Sequence, residues 1–242
     1  MDPLDAASEP ARRRYYIVSQ DIESKPSYDL LNEDDILIGG IALGKHRVQL
    51  RDLNFYFHVG LPALSGTPML KVGSRSWRAA PLDFYGDERF FASTRLKDLL
   101  LQFDESAFEV AECKAVDAKG EEIESYWWME AVRILDAVDE SRSDLIRQTE
   151  NPFSDRDAVD EVRYYRINDA VMKPDVIKEC HVFRLAPYSQ RMIVSGEVVD
   201  ECRKQGITGI VFTPLQRPSA LDCEKHLSFQ NYPYWTNLGY GK

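Results

Sequence analysis

Long apolar runs are missing from this 242-residue chain. The longest candidate, Ile36-Leu37-Ile38-Gly39-Gly40-Ile41-Ala42-Leu43, is far shorter than the roughly 18 residues that span a bilayer, and glycines interrupt it. No membrane partner is expected. Arg12-Arg13-Arg14 has no apolar segment directly behind it, so the N-terminus does not read as a secretion signal, and a cytoplasmic location is expected. Cysteine is scarce: Cys113, Cys180, Cys202 and Cys223 form no C-x-x-C pair, and without a secretion signal they read as reduced thiols. The histidines, His46, His58, His181 and His226, are scattered. On a strand the adjacent Cys180 and His181 would point to opposite faces, which disfavours a shared metal or a nucleophile–base pair. No metal and no cofactor are expected. Gly39-Gly40 and Gly73-Ser74 do not make a phosphate loop, Ser65 lacks the G-x-S-x-G elbow, and no H-E-x-x-H occurs. The paired carboxylates Asp34-Asp35, Asp139-Glu140 and Asp160-Glu161 lie in polar stretches and read as solvated faces. The chain therefore tilts toward binding rather than catalysis. Basic residues are also in deficit, 30 against 40 acidic, for a net charge of −10. A chain of that sign repels nucleic acid and suits a basic partner.

What is present is ordinary for a soluble globular protein: 44% hydrophobic, 29% charged and 11% aromatic residues, enough for a sizeable core. The most legible stretch is 191–215. Met192 to Val194 is an apolar entry, Ser195 is placed to cap a helix, and Glu197 suits the first turn. Val198, Val199 and Cys202 share one helical face, and Gly206 supplies a left-handed stop before an apolar strand closed by Pro214. The stretch 91–111 repeats this logic. Ser93 is the cap, Leu96, Leu99, Leu100 and Phe103 form the face, and a strand begins at Phe108. Two such units suggest a diverged repeat, though cap–helix–turn–strand is also a common local solution.

Elsewhere strands are expected at 14–19, 46–50, 55–59, 125–136, 162–167 and 181–185. Residues 32–35 read as an acidic loop, 61–86 as a loop region or small irregular subdomain, and 139–160 as a surface excursion or short helix. Residues 169–178 read as one short helical turn interrupted by Pro174. The fold class is α+β, with a mixed or mostly antiparallel sheet and a few short helices. One compact body is open, as is a β-rich part at 14–86 docked on an α+β part at 87–216. An irregular aromatic tail at 217–242 follows in either case.

The pieces 91–100, the aromatic segment 126–139, His181-Val182-Phe183-Arg184-Leu185, and 193–215 together resemble the immunity-protein-eleven family of bacterial polymorphic toxin and secretion systems. Tyr15-Tyr16-Ile17 is also similar to how such proteins begin. The resemblance implies a cytoplasmic protein that neutralises a cognate toxin or effector by binding it, with no catalytic residues to carry over. The acidic balance favours a basic toxin, and a nuclease domain is the expectation because nucleases must contact phosphate. The candidate toxin-binding residues are Asp139, Glu140, Asp144, Asp155, Asp157, Asp160 and Glu161, which crowd the most polar stretch of the chain. The rivals are an adaptor that holds an effector for loading, and a hydrolase using dispersed carboxylates. The sequence does not fix an oligomeric state.

Overall fold

Tyr15 and Ile17 face one apolar cluster while Tyr16 and Val18 face another, so the first strand is apolar on both sides. Such a strand belongs in the middle of a sheet covered on both faces. The computed structural model, which describes residues 13–24, 26–37, 46–49, 56–74, 81–86, 89–148, 163–186 and 188–216, places it there. In chain order the strands are β1 (Tyr15–Gln20), β2 (Pro26–Leu30), β3 (His46–Gln49), β4 (Tyr56–Val59), β5 (Met69–Ser74), β6 (Phe84–Tyr85), β7 (Phe90–Ser93), β8 (Phe108–Val116), β9 (Glu122–Ala131), β10 (Ile134–Leu135), β11 (Asp144–Gln148), β12 (Arg163–Asp169), β13 (Val182–Leu185), β14 (Tyr188–Ser195) and β15 (Ile210–Pro214). The helices are α1 (Glu33–Ile36), α2 (Thr94–Asp104), α3 (Pro174–Ile177) and α4 (Gly196–Lys204). Among the described residues no helix is long and apolar enough to cross a membrane.

The protein is α+β. One sheet runs β10-β13-β14-β1-β15 and a second runs β2-β5-β8-β9-β7-β6, with two-stranded ladders β3-β4 and β11-β12 beside them. Helices α2 and α4 supply Leu96, Leu99, Leu100, Val198, Val199 and Cys202 to a core shared with inward residues of both sheets. A second cluster covers the far face of the five-stranded sheet, and a third fills the concave face of the six-stranded one. The six-stranded sheet curls until its edge strands β2 and β6 approach, and Tyr28 lies 6.5 Å from Tyr85 and 5.5 Å from Phe91, ring to ring.

The two legible units share one topology. β7 and β8 both pair antiparallel with β9, and β14 and β15 both pair antiparallel with β1. Each helix thus connects two parallel strands that have one antiparallel strand inserted between them. Ser93 caps α2 as expected, its Oγ accepting from Leu96 N at 3.2 Å. Ser195 also holds the N-cap position but does not cap with its side chain: the Oγ lies 2.9 Å from His181 Nδ1, and Gly196 N donates to the Arg14 carbonyl instead. Gly206 takes the left-handed conformation expected of it, with φ +64.

Several expectations are corrected. Residues 61–86 are not merely a loop region, since β5 and β6 are both strands of the six-stranded sheet. β11 occupies part of the supposed excursion, and the acidic loop at 32–35 contains the single turn α1. Pro174 starts α3 rather than interrupting it, because a first-turn residue has no helical N–H bond to lose. Cys180 and His181 precede β13 rather than lying on a strand. Hydrogen-bonded ladders join residues before and after 86 in both sheets: β1 sits between β14 and β15, and β2 and β5 join β8 and β9. The tail 217–242 lies outside the described residues.

Candidate functional site

The acidic stretch singled out above begins at a turn. Asp139 N donates to the Val171 carbonyl at 2.8 Å, and Asp139 Oδ1 accepts from Ser141 N at 3.2 Å and Ser141 Oγ at 2.7 Å. Those bonds, the Ser141 hydroxyl first, hold the carboxyl below the usual aspartate range. Ser143 Oγ donates to the Asp139 carbonyl at 2.6 Å and accepts from Val171 N at 2.8 Å, which ties the turn to the body. Asp139 is thus largely a turn former. Glu140 is exposed next to it, and Asp144 is exposed at the first position of β11.

β11 and β12 form a twisted two-stranded ribbon with two register shifts. Leu145 and Ile167 anchor one side of it on the core, and Ile146, pointing the other way, is 44% exposed. Asp144 lies opposite Asp169 and accepts from Asn168 Nδ2 at 3.3 Å. The structure therefore brings Asp139, Glu140 and Asp144 together at the base of the ribbon. Asp155, Asp157, Asp160 and Glu161 lie outside the described residues. The ribbon strands are not uniformly acidic, because their sequence holds Arg147, Arg163 and Arg166 as well as Asp144 and Asp169. The surplus of negative charge in this region comes from 149–162, with Glu150 and the four residues just named against Arg156.

Sequence reasoning missed a second set of carboxylates, which stitch the two sheets together. Asp83 Oδ2 accepts from Arg95 Nη2 at 2.6 Å and from Thr208 N and Oγ1, both at 2.9 Å. Its Oδ1 accepts from Ser93 Oγ at 2.8 Å and Arg95 Nε at 3.2 Å. Burial opposes ionisation of this carboxyl, and the donors from Arg95, Thr208 and Ser93 overcome that and hold it below its ordinary value. Arg95 also donates to the carbonyls of Gln205 and Gly206, so the start of α2 neutralises the end of α4. At the other end of α2, Asp104 forms an ion pair with Arg133 and accepts from the backbone N–H of His181 and Val182. Burial opposes its ionisation too, and Arg133 reverses the balance. Glu130 of β9 pairs with Arg184 of β13 and accepts from Trp128 Nε1 at 3.1 Å, and burial still pushes its carboxyl upward. The signal was present: Asp83 and Glu130 are acids inside apolar runs, where only paired burial is tolerated.

This chemistry is structural. Each of the three carboxylates is occupied by donors, which suits a brace and not a general base. Ser195 Oγ and His181 Nδ1 have the separation of a nucleophile and its base, but Ser195 is 0% exposed and Asp104 accepts from the His181 backbone, not from its ring. The Cys113 and Cys202 thiols are buried and pushed up to about 12, too high for a reactive thiolate. Among the described residues no group of three His, Cys, Asp or Glu side chains is placed to hold a metal ion. An open cavity of about 240 Å³ lies between Pro81, Asp83, Ser93, Ile123 and Tyr126, and the Tyr126 hydroxyl on its wall already donates to the Leu82 carbonyl at 2.6 Å. In comparisons with known proteins, residues 14–217 match the profile of an immunity protein family (Imm11), and no curated protein matches the chain.

Proposed function

The chain belongs to the Imm11 immunity protein family, and from that premise we propose that it neutralises one cognate toxin, a basic nuclease-like domain, by stoichiometric binding in the cytoplasm without turnover of its own. The observation that carries the basic partner is the charge distribution. The net charge is −10, and each interior carboxylate described above has its own arginine, so the interior pairs cancel and the surplus is displayed at the surface. An acidic surface imitates the polyanion that a nuclease must grip, and it steers a basic partner into encounter. Residues 139–161, which include Asp139, Glu140, Asp144, Asp155, Asp157, Asp160 and Glu161, contribute eight acids against three arginines to that surplus. In this reading they raise the association rate. Inhibition follows from occupying the surface the toxin needs for phosphate.

The test uses the C-terminal domain of the secreted protein encoded immediately upstream of this chain's gene. Nuclease activity is titrated with the purified protein. Activity is expected to fall linearly to zero at one equivalent. Full activity in the presence of excess protein overturns the reading, as does complete inhibition by a small fraction of an equivalent, which would mean turnover. Stopped-flow association at several salt concentrations tests the steering. The rate is expected to fall steeply as the screening length shortens to about 8–10 Å, and Asp139→Lys, Glu140→Lys and Asp144→Lys combined should flatten that dependence. A salt dependence unchanged in that variant removes the segment from the encounter.

A further inference from the structure

Helix α2 packs on β7 and β9, and among the described residues no helix covers the outer, convex side of β2, β5 and β8. Strand alternation determines what is displayed there. Leu30, Leu70, Val72, Cys113 and Ala115 face the concave core, so their neighbours in sequence face outward. Pairing sets the outward residues side by side. Leu31 N donates to the Met69 carbonyl at 2.8 Å, and Met69 is in register with Lys114. Val110 lies further along β8 on the same side. Leu31 is 50% exposed, Met69 39% and Val110 38%, so this one sheet face holds three of the six large hydrophobics exposed among the described residues. Charged side chains of both signs also lie within it: Asp29 opposite Lys71, Lys114 beside Met69, and Glu112, which accepts from Ser125 Oγ at 2.7 Å. Trp127 closes the side nearest α2, with Lys97 Nζ 4.1 Å above its ring.

The rim differs in sign. Exposed Asp34 and Asp35 follow Leu31, Asp98 stands on α2 paired with Lys97, Glu105 follows the end of α2, and Glu121 and Glu122 lie with Lys119 at the turn into β9, so acids outnumber bases around the face. An apolar centre inside a polar rim is the anatomy of a protein interface. The rim selects the partner. Two copies of this chain meeting here would bring acidic rims together, whereas a basic partner would complement them. We infer that the outer face of β2, β5 and β8, centred on Leu31, Met69 and Val110, is the docking surface for the toxin, whose basic surface must offer an apolar projection to meet it. This rests on the function proposed above. The acidic segment at 139–161 then governs encounter, and the sheet face governs how long the complex lasts.

The experiment measures binding of the same upstream-encoded toxin domain by surface plasmon resonance. Met69→Lys with Val110→Lys sets two charges at the centre of the face, where both side chains are exposed in the free protein and the fold tolerates them. Affinity is expected to fall by at least about 30-fold, chiefly through faster dissociation, as for a hot spot. Ile146→Lys on the ribbon should leave dissociation within about twofold. Hydrogen exchange on the unmodified complex supplies a readout independent of any variant, with protection expected at β5 and β8. Unchanged affinity in the double variant, or no added protection at those strands, overturns the docking face and leaves toxin inhibition standing. Sedimentation of the free protein as a dimer that the double variant dissociates assigns the face to a second copy and also overturns it. Absence of any binding by the unmodified protein overturns the proposed function itself, and the inference with it.

Discussion

Asp83→Asn removes one charge from the brace between the sheets and keeps its size. The carboxylate receives five donated bonds, two at Oδ1 and three at Oδ2. Whichever way the new amide turns, its NH2 faces at least two donors. The less damaging orientation places NH2 toward Ser93 Oγ, which can rotate, and Arg95 Nε, which cannot become an acceptor. The Arg95 side chain is 50% exposed, so losing its ion pair contributes little by itself. The larger cost is the opposed donors in a buried setting, and together these give about 2–3 kcal/mol. For a chain of this length that is a melting-temperature drop of about 4–12 °C. The pH dependence is a second handle. The folded carboxyl lies below its unfolded value, so its contribution is complete above the ordinary aspartate pKa of about 4 and is lost as pH falls through the depressed folded value. The stability gap between the unmodified protein and Asp83→Asn, measured by urea unfolding, should therefore be constant from pH 7 to about 5 and narrow below about 4. A variant melting within about 1 °C of the original, or a gap that persists undiminished in acid, refutes the brace.

Leu96→Ala and Leu99→Ala each empty a site that is 0% or 2% exposed between the sheets, and each should cost about 2–5 kcal/mol by thermal or urea unfolding. A negligible change in both would contradict the shared core. Gly209→Ala tests the close approach of the sheets near Asp83. Gly209 has φ +81, and an added Cβ would stand 2.6 Å from the Phe84 carbonyl oxygen, so a loss of about 2 kcal/mol or more is expected, and a neutral melt would disprove the contact.

How much of this was legible follows from where the signals are local. The α2 and α4 units were readable because cap position and apolar face lie within a dozen residues, and α4 adds a left-handed stop at Gly206. The side-chain cap at Ser195 failed because His181, 14 residues away, competes for its hydroxyl. β5 and β6 were hidden inside a glycine- and proline-rich stretch because their pairing partners are distant or brief: β5 is parallel to β8, and β6 is only Phe84–Tyr85. The place of β1 was not legible locally, because its partners β14 and β15 are about 170 residues or more further along the chain. The family resemblance rested mainly on residues after 90, yet the match begins at residue 14, as the insertion of β1 into the C-terminal sheet requires. The candidate binding residues were chosen by charge density, which composition reveals. The outer sheet face is an alternation spread over three strands, and no linear window contains it.

Charge and apolar surface act over different distances, and this chain separates them. Coulombic steering operates across about 8–10 Å in physiological salt and needs only surplus charge, whose exact placement matters little. A long-lived complex needs desolvated contact, which depends on which side chains project from a rigid support. A chain carrying a net −10 repels itself, so its acidity is a cost to folding unless it serves something outside the fold. Inside the fold each carboxylate is matched by an arginine at Asp83, Asp104 and Glu130, and those pairs leave the net charge untouched. The unmatched acids therefore have no structural task in the braces that join the sheets. The exposed Leu31, Met69 and Val110 likewise add nothing to the three clusters beneath them. A basic partner with an apolar projection would use both features together: it would relieve the self-repulsion of the rim and cover the face that the described helices leave bare.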